Sequence, residues 1–152
     1  MQKLNLSIKT FNKRYINKKY LSWINDKMLM EHSRHAKKNY TLKKANTFYK
    51  KIINSGNFFL SICDNYKIIG TVIVYKRKIP NLGILIGDNS YRGKGLACSV
   101  LKKVFVYLKT KKIRQVEIGC KKNNLRMLKI ANKLRFTKYK TNNNNIYFIK
   151  KL

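Results

Sequence analysis

The stretch "GILIGDNSYRGKGLA", residues 83–97, decides how the rest of the chain is read. It begins as an apolar strand pattern and passes through a loop holding two glycines and two cations. It then enters a series in which Leu96, Val100, Leu101, Val104, Phe105 and Leu108 recur at helical spacing. Glycine lets the backbone turn tightly and come close to a ligand. Arg92 and Lys94 suit an anion, and the free N–H groups of a starting helix favour one as well. Strand, glycine loop and helix together predict a phosphate cradle over Tyr91–Ala97.

Outward from this core, the hydrophobic pattern resolves into short elements. Residues 3–9 alternate as a strand, and residues 16–25 place Ile16, Tyr20, Leu21 and Ile24 on one helical side, ended by Asn25-Asp26. A second helix spans 42–54 and closes at "SGN". "FFLSIC" (58–63) and "KIIGTVIVYK" (67–76) form a hairpin around "DNY", and Pro80 sets off a further strand at 81–88. Past the long helix, 115–120 is a strand, 124–134 a helix, and "FTKYK" with "IYFIKKL" a closing hairpin around the Asn run 142–145. The order β-α-α-β-β-β-α-β-α-β-β, without linker or internal repeat, predicts one domain over 1–152.

Charge is the strongest compositional feature: 36 Lys+Arg against 5 Asp+Glu, a net +31. A nucleic-acid or anionic-membrane partner is one reading. Compositional drift is the other, because Lys, Asn, Ile and Tyr are heavily used along the whole chain and no basic block is confined to one tail or helix. The tyrosines are spread over many elements, which argues against a dedicated nucleic-acid-binding face. No apolar run reaches the roughly 18–20 residues of a membrane span, and the N-terminus lacks the apolar core of a signal peptide. Cys63, Cys98 and Cys120 are far apart and odd in number, as buried free thiols of a reducing compartment are. A cytoplasmic protein is therefore expected. His32 and His35 stand three residues apart without a third ligand nearby, so no metal site is expected.

Three anion-binding patterns compete for the loop. A Walker A motif fails, since Gly87 lies one residue too far from Gly93 and no hydroxyl follows Lys94. A Rossmann fingerprint lacks its third glycine, and the strands before it form a hairpin rather than a βαβ series. Arg92, Gly95 and Ala97 match the third, [Q/R]-x-x-G-x-[G/A]. With this loop, the chain resembles the GNAT acetyltransferases along nearly its whole length. "YLSWIND" (20–26) is similar to the Y-x-x-W-x-N-D segment of the RimJ/RimL-type enzymes and of their relatives that acetylate nucleotide-linked amino sugars. "NNLRMLKIANKLRF" (123–136) resembles their N-x-x-S-x-x-x-Y-x-K-L-G-F ending.

The resemblance implies an α+β, three-layer GNAT fold. Its mixed sheet of about seven strands has helices on both faces and splays between the strands at 81–88 and 115–120. It implies acetyl-CoA as cofactor, its pyrophosphate held by Arg92, Gly93, Lys94, Gly95, Leu96 and Ala97 and its pantetheine arm lying in the splay. An N–H near Leu85 or Ile86 would hold the acetyl oxygen, where negative charge builds during attack, and Asn124 would bond the cofactor arm. The family tyrosine, serine and glycine of the ending fall on Ala131, Met127 and Arg135, so the usual general acid is missing. An attacking amine must lose a proton, and Asp26, Glu31, Asp64, Asp88 and Glu117 are the five acidic residues available. Glu31, in the segment that usually walls the acceptor pocket, or Asp88, after the splayed strand, is the expected base. The implied activity is acetyl transfer to a primary amine, of a nucleotide-linked amino sugar or of a protein N-terminus. The enzyme would be a monomer or homodimer with no specific nucleic-acid partner.

Overall fold

The computed structural model describes residues 3–33, 35–36 and 38–152. The described residues form seven strands: β1 (Leu6–Thr10), β2 (Phe58–Asp64), β3 (Lys67–Tyr75), β4 (Asn81–Ile86), β5 (Gln115–Lys121), β6 (Thr137–Thr141) and β7 (Asn145–Lys151). Four α-helices accompany them: α1 (Lys18–Ile24), α2 (Leu42–Asn54), α3 (Leu96–Thr110) and α4 (Leu125–Lys133). Their order is the expected one. The boundaries follow local chemistry. Asn17 caps α1 through its side chain, which leaves Ile16 outside the helix. β4 stops at Ile86 because the N–H groups of Gly87 and Asp88 both turn to the Ile69 carbonyl, at 2.9 and 3.0 Å. A short 3-10 turn at Asn89–Tyr91 follows, which the hydrophobic pattern did not reveal.

The strands form one sheet in the order β1-β2-β3-β4-β5-β7-β6. Every neighbouring pair is antiparallel except β4–β5, which is parallel. Two apolar layers sandwich it. On one face α3 inserts Val100, Leu101, Val104 and Leu108, all fully buried, against Leu60, Ile62, Val72, Val74, Val116 and Ile118. Each such side chain contributes about 1.5–3 kcal/mol, and this layer holds the long helix in place behind the glycine loop. On the other face Tyr20, Trp23 and Ile24 of α1 and Ala45 and Ile52 of α2 pack with Phe11 and Phe59. No helix among the described residues is long and apolar enough to cross a membrane.

The parallel pair positions the site. β4 and β5 share a single ladder rung, Asn81 opposite Glu117, supported by the Glu117 N–H on the Pro80 carbonyl at 2.7 Å. Beyond it the strands part, while β4 stays paired to β3 as far as Gly70 opposite Ile86. One edge of β4 therefore faces a gap, the splay expected between 81–88 and 115–120. Backbone groups along that edge are open to a ligand arm lying as an extra strand.

Candidate active site

The gap opens at the C-terminal ends of β4 and β5, where α3 and α4 begin. The two helix starts differ. Asn124 caps α4, its side chain accepting from the Met127 N–H at 3.2 Å. Gly95 caps α3 with no side-chain hydrogen bond. Gly93 and Gly95 have φ of 72° and 69°, a conformation that favours glycine, and a Cβ at either would meet open space. The result is a positive helix end with an uncrowded backbone leading into it, the geometry that takes a phosphate. These residues fit the pyrophosphate of a coenzyme A: the N–H groups of Gly93, Lys94, Gly95, Leu96 and Ala97 would hold it. Leu85 and Ile86 lie on the gap-lining strand.

Arg92 does not point its charge into this cradle. Its Nε donates to the Ile86 carbonyl at 3.2 Å and its Nη2 to the Gly87 carbonyl, and its Nη1 lies 3.6 Å from Asp26. Its N–H turns back to the Asn89 carbonyl. The sequence pattern places Arg92 in the loop, yet its side chain is a strut beneath it. Lys94 is exposed, its ammonium 6.0 Å from the Tyr91 ring centroid.

The carboxylates separate into three groups. Asp88 faces β3 and α1, on the side of β4 away from the gap. It accepts from the N–H and hydroxyl of Ser90 at 3.0 and 2.6 Å and lies 3.3 Å from Lys19 and 3.0 Å from Lys67. Partial burial works to raise its pKa, but the bonds from Ser90, Lys67 and Lys19 outweigh it and hold the carboxyl well below the usual range. A carboxylate so held is a weak base, and its partners turn it toward β3 and α1. Glu31 is 64% exposed, 3.2 Å from His32. Its main-chain carbonyl accepts from Lys121 at 3.1 Å, which sets it on the outer rim above the end of β5.

Glu117 stands where the gap closes. Only 6% exposed, it projects from β5 on the face opposite Val116 and Ile118. It accepts from Asn81 Nδ2 at 2.7 Å and from the Tyr139 hydroxyl, which reaches across β7. That hydrogen bond, with burial and the nearby negative charge, pushes the Tyr139 pKa up to about 12. On the same face Gly83 leaves β4 bare, whereas Gly119 of β5 is covered by a ring. A side chain at Gly119 would collide with the Tyr147 ring, 2.7 Å away. The sequence signal for Glu117 was its place as a lone acid on an apolar strand. Its partners Asn81 and Tyr139, 36 and 22 residues distant, carried no signal. Ala131, at the family tyrosine position, is 0% exposed and belongs to the core.

The "YLSWIND" segment now has a physical meaning. Tyr20 and Trp23 are core residues, and the Trp23 indole lies over Gly87 so closely that a Cβ there would sit 2.0 Å from it. Asn25 holds the N–H and carbonyl of Tyr40 at 2.7 and 2.8 Å, fixing the segment between α1 and α2. Asp26 takes Arg92.

The GNAT acetyltransferase domain model matches residues 6–137. No curated protein sequence matches the chain. Among solved structures, the RimL ribosomal L7/L12 alpha-N-protein acetyltransferase in complex with coenzyme A superposes with a TM-score of 0.82 at 14% identity, covering 97% of this chain and 94% of that one. The spermidine N-acetyltransferase from Vibrio cholerae, in complex with CoA and spermine, gives 0.81 at 13% identity, covering 96% and 95%. An N-acetyltransferase from Staphylococcus aureus Mu50 gives 0.77 at 20% identity, covering 97% and 98%. A domain match over most of the chain, joined to the splayed sheet and the open glycine cradle, places this protein in the GNAT family of acetyl-CoA-dependent N-acetyltransferases.

Proposed function

We propose that this acetyltransferase acts in the cytoplasm on the primary amine of an acceptor that itself carries negative charge, nucleotide-linked amino sugars foremost. The observation that carries this reading is the net +31. A field of that sign concentrates anionic acceptors and opposes polycations. Spermidine, the substrate named for the Vibrio cholerae neighbour, is such a polycation. The amino-sugar class also has the support of "YLSWIND" and "ILIGD".

Bound acetyl-CoA supplies an activated thioester in the β4–β5 gap. The neutral amine would add to the acetyl carbon, placing negative charge on the acetyl oxygen near the Leu85–Ile86 backbone, and the C–S bond would break as that adduct collapses to amide and thiolate. A thiol pKa of about 8.5 makes the thiolate a fair leaving group, so the buried Ala131 leaves no step undone. Glu117 would take the amine proton only through a relay of waters, because Asn81 and Leu85 are four residues, or roughly 13 Å of strand, apart. Glu31 on the rim is the second carboxylate in reach of the acceptor.

A second reading, acetylation of a protein N-terminal amine, is favoured by the fold shared with RimL, whose named substrate is a ribosomal protein. Thiol release from acetyl-CoA, followed with UDP- and dTDP-amino sugars, an acidic peptide with a free N-terminus, and spermidine, separates the readings. The amino-sugar nucleotides should show the highest kcat/KM and spermidine the lowest. Turnover of the peptide alone would move the assignment to protein N-termini, and a preference for spermidine would overturn the charge argument.

A further inference from the structure

Three of the five acidic residues converge on one short segment. Asp26 from the end of α1 takes the Arg92 guanidinium at 3.6 Å. Asp64 from the end of β2 accepts the Tyr91 hydroxyl at 3.0 Å, while its other oxygen accepts the Asn5 N–H at 2.8 Å. Asp88 opens the Asn89–Tyr91 turn, accepting from Ser90, and is gripped from α1 by Lys19 and from β3 by Lys67. α1 thus contributes two tethers, and β2 and β3 one each. Immediately after it come Gly93 and Gly95, the residues with the greatest backbone freedom in the loop.

We infer that Asp26, Asp64 and Asp88 are positioning residues that brace the 88–92 turn so that the following N–H groups meet the coenzyme A pyrophosphate in fixed geometry. The inference rests on the assignment of the cofactor loop to residues 92–97. It explains why a chain so poor in acids places three of them beside an anion site, where their charge alone opposes the ligand. It also explains the inward guanidinium of Arg92, which ties the turn to the end of β4 through the Ile86 and Gly87 carbonyls.

The two effects of these carboxylates have opposite signs, so one substitution separates them. Asp88→Asn removes a negative charge near the phosphates, and on electrostatics alone coenzyme A would bind about twofold tighter. Loss of bracing instead predicts about tenfold weaker binding. Calorimetry of the full chain with coenzyme A should show the weakening, and it should persist at high salt, because geometry is not screened. The KM for acetyl-CoA should rise with kcat at saturation unchanged. Tyr91→Phe, which leaves every charge in place and deletes the bond to Asp64, should weaken binding by about tenfold, the worth of one hydrogen bond to a charged group. Gly95→Glu puts bulk and negative charge into the cradle and should abolish binding. If Gly95→Glu binds normally, the loop assignment falls and the brace with it. If Gly95→Glu loses binding while Asp88→Asn and Tyr91→Phe bind as well as the parent or tighter, the brace alone is refuted.

Discussion

Glu117 is an acidic side chain folded inside a protein of net charge +31, with two hydrogen bonds and, among the described residues, no ion pair. Burying an ionised group is unfavourable by several kcal/mol unless its oxygens are bonded, which Asn81 and Tyr139 accomplish. Its place at the closed end of the gap makes it the carboxylate to test as the end of a proton relay. Glu117→Gln preserves the shape and should lower kcat/KM by about 10²–10⁴-fold. The loss should shrink at high pH, where the amine is already neutral. Glu31→Gln should change it by less than about threefold, as a solvated rim charge does. A pH–rate profile of both variants decides the matter, and the reverse pattern assigns the base to Glu31. A second residue sets a stability test. Arg135 occupies the left-handed region at φ 57°, where the family ending has glycine. That conformation is unfavourable for a side chain by about 1–2 kcal/mol, partly offset by the extra freedom of glycine when unfolded. Arg135→Gly should therefore raise the melting temperature by about 2 °C. A fall on thermal denaturation would mean that the Arg135 side chain contributes more than its backbone strain removes.

Between elements, the decisive contact is α1 against the end of β4. The Trp23 ring occupies the space where a Cβ of residue 87 would lie. Gly87→Ala should destabilise the fold by about 1–3 kcal/mol, the usual consequence of overpacking, and should loosen the turn that follows. Chemical denaturation would show it, and an unchanged midpoint would mean that α1 shifts freely. The acid limit of this region follows from its carboxylates. The Leu29 N–H, Arg92 and the Met28 N–H hold Asp26 low against some burial, and Asp88 is held lower still. Groups with depressed native pKa values stabilise above their unfolded pKa and lose that contribution as pH falls through the native one. The 88–92 turn should thus stay structured to pH values well below 4, as amide chemical shifts would report. This explains what was legible in the sequence. Long periodic segments such as α2 and α3, and the Arg92-x-x-Gly95-x-Ala97 pattern, are local signals. The Asn89–Tyr91 turn is held by Asp64, Lys67 and Lys19, which lie on other elements, so no local pattern announced it. The same distance hid the state of Asp88: read along the chain it is an acid after a splayed strand, and only the fold brings two lysines to it.

For the molecule as a whole, the question is what a net charge of +31 does. The three aspartates are gathered at one turn, and the fourth and fifth acids lie at the rim and base of the gap, so most of the 36 lysines and arginines have no carboxylate to pair with. Such a surface attracts any polyanion. If the attraction is a field effect, it comes from released counterions and diffuse charge rather than from base contacts. Binding to duplex DNA should then be strong at low salt and indifferent to sequence. Its logarithm should fall linearly with the logarithm of salt concentration, losing about 10³–10⁵-fold between 50 and 200 mM if six to ten phosphates are engaged. The cofactor loop behaves differently, because its donors are backbone N–H groups at a helix end fixed by the fold. Coenzyme A affinity should decline far less over the same range. Fluorescence anisotropy with two unrelated DNA sequences, run beside coenzyme A calorimetry at each salt concentration, measures both slopes. A sequence-specific DNA complex that survives near-physiological salt and is unaffected by acetyl-CoA would show that the charge serves a nucleic-acid partner. Parallel slopes for DNA and coenzyme A would show instead that the cradle draws its affinity from the lysine field rather than from its own geometry.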